Sequence, residues 1–60
     1  MKVLVTGAGG MLGVDVCNLL AERGHEVVTT GRREGLVPLD VTDTTQTRRV
    51  IGEHRPNAII

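Results

Sequence analysis

Aromatic side chains are absent from this 60-residue sequence, which contains no phenylalanine, tryptophan or tyrosine. Its core must therefore be built from valine, leucine, isoleucine, alanine and methionine, each of which contributes roughly 1.5 to 3 kcal/mol at best when fully buried. A chain this short buries only about 60% of the surface that its unfolded form exposes. We therefore expect residues 1–60 to be the N-terminal part of a longer protein.

The sequence also has only one cysteine, no net charge and no long apolar run. The single cysteine, Cys17, excludes a disulfide scaffold and is typical of a reducing compartment, so we expect a cytoplasmic protein. Seven basic and seven acidic side chains balance to zero, which argues against nucleic acid or a membrane surface as partner. No run approaches the roughly 18 apolar residues that span a bilayer, and the first residues show no basic and apolar regions of a signal peptide, so we expect no membrane span or export signal.

The remaining reactive residue types do not form a site of their own. Cys17 falls inside a helical pattern, where a small buried hydrophobic role is expected rather than a nucleophilic one. His25 and His54 have no cysteine or histidine partners at metal-ligand spacing, so no metal site is predicted.

A glycine-rich segment is the most informative feature that is present. Gly7, Gly10 and Gly13 directly follow the apolar run Val3–Val5 and open a helical pattern. Glycines let backbone N–H groups approach phosphate oxygens, and the helix that follows directs its positive dipole end at the same place. The segment predicts a pyrophosphate site for NAD or NADP. We expect Gly13 to allow close packing between this helix and the sheet.

Hydrophobic periodicity and turn residues predict alternating strands and helices. The predicted strands are Lys2–Thr6, Glu26–Thr30, Leu36–Leu39 and Ala58–Ile60, and the predicted helices start near Gly10 and Thr44. In the first helix, which Gly24 should end, the predicted apolar face holds Leu12, Val16, Leu19 and Leu20. Asp43 or Thr42 should cap the second helix, with Val50 and Ile51 as its apolar contacts and its end near His54.

These elements predict an α/β fold class, a Rossmann-type doubly wound parallel sheet that is incomplete within the 60 residues. Pro38 confines the third strand to an edge because proline cannot donate to the ladder. With right-handed crossovers, the strand order is predicted to be 3-2-1-4.

The loop after the second strand points to the choice of cofactor. Folds that prefer NAD usually place an acidic residue near this point to bond the ribose 2′-hydroxyl. Here Gly31 is followed by Arg32 and Arg33. The planar guanidinium pairs well with phosphate, so these residues favour NADP(H) over NAD(H) unless they are merely solvated loop side chains.

The motif Thr6–Gly13, with its three spaced glycines, resembles the nucleotide motif of the extended short-chain dehydrogenases/reductases. The resemblance to this superfamily extends over the whole chain. Within that superfamily, three further segments resemble the dTDP-4-dehydrorhamnose reductases. They are Arg23–Val27, Leu39–Asp43 and Arg55–Ile60. The resemblance implies NADPH-dependent reduction of a dTDP-linked 4-keto deoxysugar in dTDP-rhamnose biosynthesis by the full-length protein.

Individual residue roles are also implied by this resemblance. Gly7, Gly10, Met11 and Leu12 would cradle the pyrophosphate, Arg32 and Arg33 would meet the adenosine phosphate, and Asp40 and Val41 would flank the adenine. The family's catalytic tyrosine, with a lysine four positions later, is missing because the chain has no tyrosine and only one lysine, Lys2. The substrate domain and catalytic region are therefore expected outside residues 1–60.

Other functions remain open at this point. A non-catalytic NADP-binding regulatory subunit would share the same segment, as would an NAD-dependent nucleotide-sugar epimerase or dehydratase. A downstream tyrosine and lysine would distinguish the reductase from the subunit, while the arginine pair argues against the NAD-linked enzymes. The substrate expected for the enzyme is a nucleotide-sugar, and a homodimer is an arrangement that the sequence leaves open.

Overall fold

The computed structural model describes all 60 residues, and strands alternate with helices along most of the chain. In order, the elements are β1 (Lys2–Val5), α1 (Met11–Glu22), β2 (Glu26–Gly31), β3 (Val37–Pro38), α2 (Thr44–His54) and β4 (Ala58–Ile59). All neighbouring strands pair in parallel, in the order β3-β2-β1-β4. The predicted fold class and strand order are confirmed, and the element boundaries agree with the prediction to within two residues. Neither helix is long and apolar enough to cross a membrane.

Strand β1 lies in the middle of the sheet and supplies both halves of the core. Its successive side chains point to opposite faces, as in any strand. Leu4 belongs to a buried cluster with Val28, Leu39 and Val50 of α2. Val3 and Val5 belong to a second cluster, against which α1 packs. The sheet is therefore covered by one helix on each face, and β1 is buried on both sides.

Helix α1 contacts the sheet through a face that only partly matches the predicted one. Val16, Cys17 and Leu20 pack against the buried cluster of β1. Leu12 and Leu19, which were predicted to be buried with Val16 and Leu20, are 77% and 50% exposed. That part of the prediction is wrong, whereas Val16 and Leu20 pack against the sheet as predicted. The contacting stripe consists of Gly13, Val16, Cys17 and Leu20, and it is rotated from the predicted one toward Cys17.

Burial also accounts for the state of Cys17. Desolvation raises the pKa of its thiol, so the group stays protonated and behaves as a small apolar side chain.

Gly24 ends α1 as predicted. It has φ of 84°, and its N–H donates to Ala21 O while His25 N–H donates to Leu20 O, both at 3.1 Å. This pair of bonds is a Schellman motif, which satisfies carbonyls that the helix leaves open at its C-terminus. The motif returns the chain directly into β2.

Asp43, one of the two predicted capping residues, is the N-cap of helix α2. The Asp43 side chain accepts a hydrogen bond from Gln46 N–H at 3.0 Å. At the other end, Arg55 adopts a left-handed conformation with φ of 49° and donates to Ile51 O at 2.8 Å. The helix continues through Gly52, so this glycine does not define its end.

Gly52 is a position where the fold can be stabilised without a new contact. It lies inside α2, and a Cβ added there would meet open space. We expect Gly52→Ala to raise the free energy of unfolding by about 0.5 to 1 kcal/mol, because alanine loses less backbone entropy in a helix. Urea unfolding of the full gene product measures this. Gly24→Ala is the contrasting variant, since its positive φ should make it destabilising; a Gly52→Ala protein of unchanged or lower stability would contradict the prediction.

Candidate functional site

The glycine-rich turn lies at the carboxyl end of β1, where the chain leaves the sheet. Gly7 has φ of 63°, a conformation that side chains disfavour. The turn closes when Gly10 N–H donates to Gly7 O at 3.1 Å. Helix α1 starts at Met11, directly after Gly10, so the helix N-terminus lies beside the end of β1.

Gly13 permits close contact between α1 and this turn. A Cβ built on Gly13 would lie 2.8 Å from Ala8 Cα and would also collide with the carbonyl oxygen of Gly7. The predicted close packing is therefore present, but its partner is the backbone of the turn and not the sheet itself. No residue larger than glycine fits there without moving the helix.

Two hydrogen bonds that involve Thr30 join the turn and the end of β1 to the neighbouring strand. Ala8 N–H donates to Thr30 O at 2.9 Å, and the Thr30 hydroxyl donates to Val5 O at 2.8 Å. Thr30 is completely buried. Sequence reasoning treated Thr30 only as a strand residue; a hydroxyl inside an apolar strand, which must find a partner when buried, was the available signal.

The first turn of α1 presents backbone donors that nothing in the chain satisfies. The N–H groups of Met11, Leu12 and Gly13 make no hydrogen bond. Gly10, at the N-cap, has no side chain to satisfy them, and no acidic residue lies in the first turn. Open donors and the helix dipole together favour an anion at this position.

Three adjoining hollows surround the turn at this end of the sheet. Together they are lined by all nine residues predicted to bind the cofactor, among other residues. The first, of about 360 Å³, contains Gly7, Arg32, Asp40 and Val41. The second, of about 320 Å³, contains Gly10, Met11 and Arg33. The third, also about 320 Å³, contains Gly7, Gly10, Met11, Leu12 and Gly13. The structure therefore brings the predicted residues together around one turn.

The two arginines separate after β2. Arg32 lines the first hollow with Asp40, whereas Arg33 lines the second and lies over Gly9. Both arginines lie in the bend that follows β2, where the chain changes direction. The two guanidinium groups consequently belong to different parts of the site.

Asp40 is held as a carboxylate by the chain around it. The hydroxyl and the N–H of Thr42 donate to Asp40 Oδ1, at 2.7 Å and 3.0 Å. These bonds, aided by the charge of Arg32, lower the pKa of Asp40. Its own N–H donates to Gln46 Oε1 at 2.7 Å, which ties the residue to α2. Asp40 therefore presents an acceptor to the first hollow, beside the 63%-exposed side chain of Val41.

The only lysine is far from these hollows along β1. Lys2 begins β1, whereas the turn follows the opposite end of that strand, and Lys2 Nζ lies 3.6 Å from Glu26 Oε2. The site therefore offers anion-binding donors, two arginines and one carboxylate acceptor, and no tyrosine is available to donate a proton.

Comparison with known proteins agrees with this geometry. The model of the NAD dependent epimerase/dehydratase family matches residues 3–60. The dTDP-4-dehydrorhamnose reductase of Streptomyces griseus is 44% identical over 57 residues, which are 95% of this chain and 17% of that protein. The spore coat polysaccharide biosynthesis protein SpsK of Bacillus subtilis (strain 168) is 34% identical over 59 residues, 98% of this chain and 19% of that protein.

A solved structure is also similar. The crystal structure of the protein lin1944 from Listeria innocua superimposes with a TM-score of 0.74 at 38% identity, over 88% of this chain and 26% of that chain. The chain thus spans about a fifth of the length of the curated relatives it matches. The resemblance seen in the glycine motif is confirmed over nearly all of its residues, and the chain belongs to the NAD dependent epimerase/dehydratase family.

Proposed function

We propose that residues 1–60 are the N-terminal, cofactor-binding part of an NADPH-dependent reductase that acts on a dTDP-linked 4-keto-6-deoxysugar. The observation that carries the proposal is the open first turn of α1 beside the two arginines that follow β2. The similarity to the S. griseus reductase supports the choice of substrate class. The substrate domain and the catalytic region then lie outside these 60 residues.

Each part of the site has a defined binding role in this proposal. The turn at Gly7 and Gly10, with the open N–H groups of Met11 and Leu12, holds the pyrophosphate. Gly13 keeps the helix close enough for this contact. These groups act on either cofactor, because both carry the same pyrophosphate.

The adenosine end of the cofactor is read by side chains of the loops. Arg32 and Arg33 bind the 2′-phosphate, which only NADP(H) carries. Asp40 accepts a hydrogen bond from the adenine amine and Val41 packs against the ring.

The chemistry is divided between this chain and the rest of the protein. Bound NADPH supplies the hydride for carbonyl reduction. The residues described here orient the cofactor, and the proton donor must be contributed by residues outside 1–60, since this chain has no tyrosine. An unpaired cysteine and a small sugar-nucleotide substrate fit a cytoplasmic enzyme.

A second candidate is an NAD-dependent nucleotide-sugar epimerase or dehydratase, which the family match itself favours. The arginine pair weighs against it, because neither residue suits a bare ribose hydroxyl as an acidic residue would. A non-catalytic NADP-binding subunit is the third, and a full gene product without the tyrosine and lysine pair would favour it.

Activity of the full gene product tests the reductase directly. Incubated with a dTDP-4-dehydro-6-deoxyhexose, it should oxidise NADPH with a kcat/KM at least about tenfold above that for NADH, a difference equal to 1.4 kcal/mol. Release of oxidised cofactor and formation of the reduced sugar are followed together. No oxidation of NADPH with this substrate, together with epimerisation or dehydration of an intact nucleotide-linked hexose in the presence of NAD, would instead identify the second candidate.

The arginine pair provides a binding test that does not depend on substrate. Replacing both residues in an Arg32→Ala/Arg33→Ala variant should weaken NADPH binding at least about tenfold more than NADH binding, because charge-assisted bonds to the 2′-phosphate are lost. Calorimetric titration with each cofactor measures the ratio. Equal losses for both cofactors would show that the arginines do not read the 2′-phosphate.

Gly13 tests the contact between helix and turn. Gly13→Ala should lower the free energy of unfolding by about 1 to 3 kcal/mol through overpacking and should weaken NADPH and NADH binding equally. Thermal unfolding and parallel titrations measure the two effects. Gly52→Ala is the matched control, because it makes the same substitution inside a helix where space is open; Gly13→Ala with undiminished affinity would contradict the account.

A further inference from the structure

Gly9 is a fourth glycine in the turn, and the motif formed by Gly7, Gly10 and Gly13 does not require it. It lies between Gly7 and Gly10 and takes no part in their spacing. Its φ is not positive, so its backbone conformation is open to other residues. The presence of glycine at this position therefore needs a cause outside the backbone.

The cause lies in the side chain of Arg33. A Cβ built on Gly9 would lie 2.7 Å from Arg33 Cδ, 3.1 Å from Cγ and 3.4 Å from Cβ. The aliphatic stem of Arg33 thus runs across the bare backbone of Gly9. A methyl group at position 9 would push the stem away from the turn.

This placement brings the charged end of Arg33 to the open end of α1. Arg33 shares the second hollow with Gly9, Gly10, Met11 and Asp15. Asp15 is the charged group of α1 that faces it, yet Lys2–Glu26 is the only ion pair in the chain. The Arg33 guanidinium is therefore without a carboxylate partner and is free to bind an anion.

Arg32 has different surroundings. It lines the first hollow with Asp40, and its charge contributes to the lowered pKa of that carboxylate. A negative neighbour offsets part of the attraction that Arg32 would exert on a phosphate. Asp15 shares the second hollow with Arg33 in the same way, and neither arginine forms an ion pair. The two arginines differ because the stem of Arg33 packs on the backbone of the turn.

We propose that Gly9 is a specificity-determining position, because its lack of a side chain holds Arg33 across the turn, where Arg33 is the principal ligand of the cofactor 2′-phosphate. Gly9 acts through Arg33 and is a positioning residue. The inference rests on the proposed NADPH function. It assigns the 2′-phosphate mainly to Arg33 and only secondarily to Arg32.

A double-mutant cycle in the full gene product tests this. The variants are Gly9→Ala, Arg33→Ala and the two combined, each titrated with NADPH and NADH, and with 2′,5′-ADP and 5′-ADP as shorter probes of the same phosphate. Gly9→Ala and Arg33→Ala should each lower the NADPH to NADH affinity ratio about tenfold, and the combined variant should show no further loss. Arg32→Ala should lower the ratio less than Arg33→Ala, and Gly52→Ala should leave it unchanged.

The outcomes separate this inference from the function on which it rests. A wild-type protein that binds NADH as tightly as NADPH would overturn the proposed cofactor preference itself. A wild-type preference for NADPH, combined with losses at Gly9 and Arg33 that multiply or with a larger loss in Arg32→Ala, would overturn only the inference. If Gly9→Ala does not yield folded protein, the comparison of Arg33→Ala with Arg32→Ala still decides it, since a smaller effect of Arg33→Ala contradicts the assignment.

Discussion

The contact between Gly13 and the backbone of Gly7 and Ala8 is the constraint on which the rest of the site depends. Glycine inside a helix costs about 1 kcal/mol relative to alanine. Here it allows α1 to start against the turn, in a space that a Cβ would fill. The same contact fixes the rotation of α1, since the residues three, four and seven positions later are those that pack on the sheet. One close approach therefore sets both the buried face of the helix and the direction of its open N–H groups.

Thr30 extends this constraint to the second strand. Its hydroxyl bonds to the end of β1 and its carbonyl accepts from Ala8 in the turn. The loop that carries Arg32 and Arg33 begins two residues later, so the arginines are placed relative to the helix N-terminus by a buried hydrogen-bonded link. A chain without aromatic residues can build this site because its donors are backbone groups held by short bonds, and few side chains have to be positioned.

Sequence patterns were sufficient for the architecture and insufficient for the contacts. The apolar run of β1, the glycines and the edge proline Pro38 predicted the order of the sheet, because each has a local physical meaning. Leu12 and Leu19 were misplaced because they satisfy helical spacing as well as the residues that pack on the sheet, and the tertiary contact of Gly13 distinguishes the two faces. The placement of Arg32 and Arg33 in different hollows, and the hydrogen bonds of Thr30, likewise depend on residues distant in sequence.

The cofactor preference depends on whether a carboxylate is placed to accept a hydrogen bond from the ribose 2′-hydroxyl of NAD(H). The family is named for NAD, yet no acidic residue directly follows β2. Glu34, three residues after the strand ends, is exposed and lines none of the three hollows. Asp40 lines the first hollow, but in the proposed site its carboxylate accepts from the adenine amine. An NAD-selective site would lack its usual acceptor here, whereas an NADP site finds two cations on either side of the turn, which supports the preference proposed above.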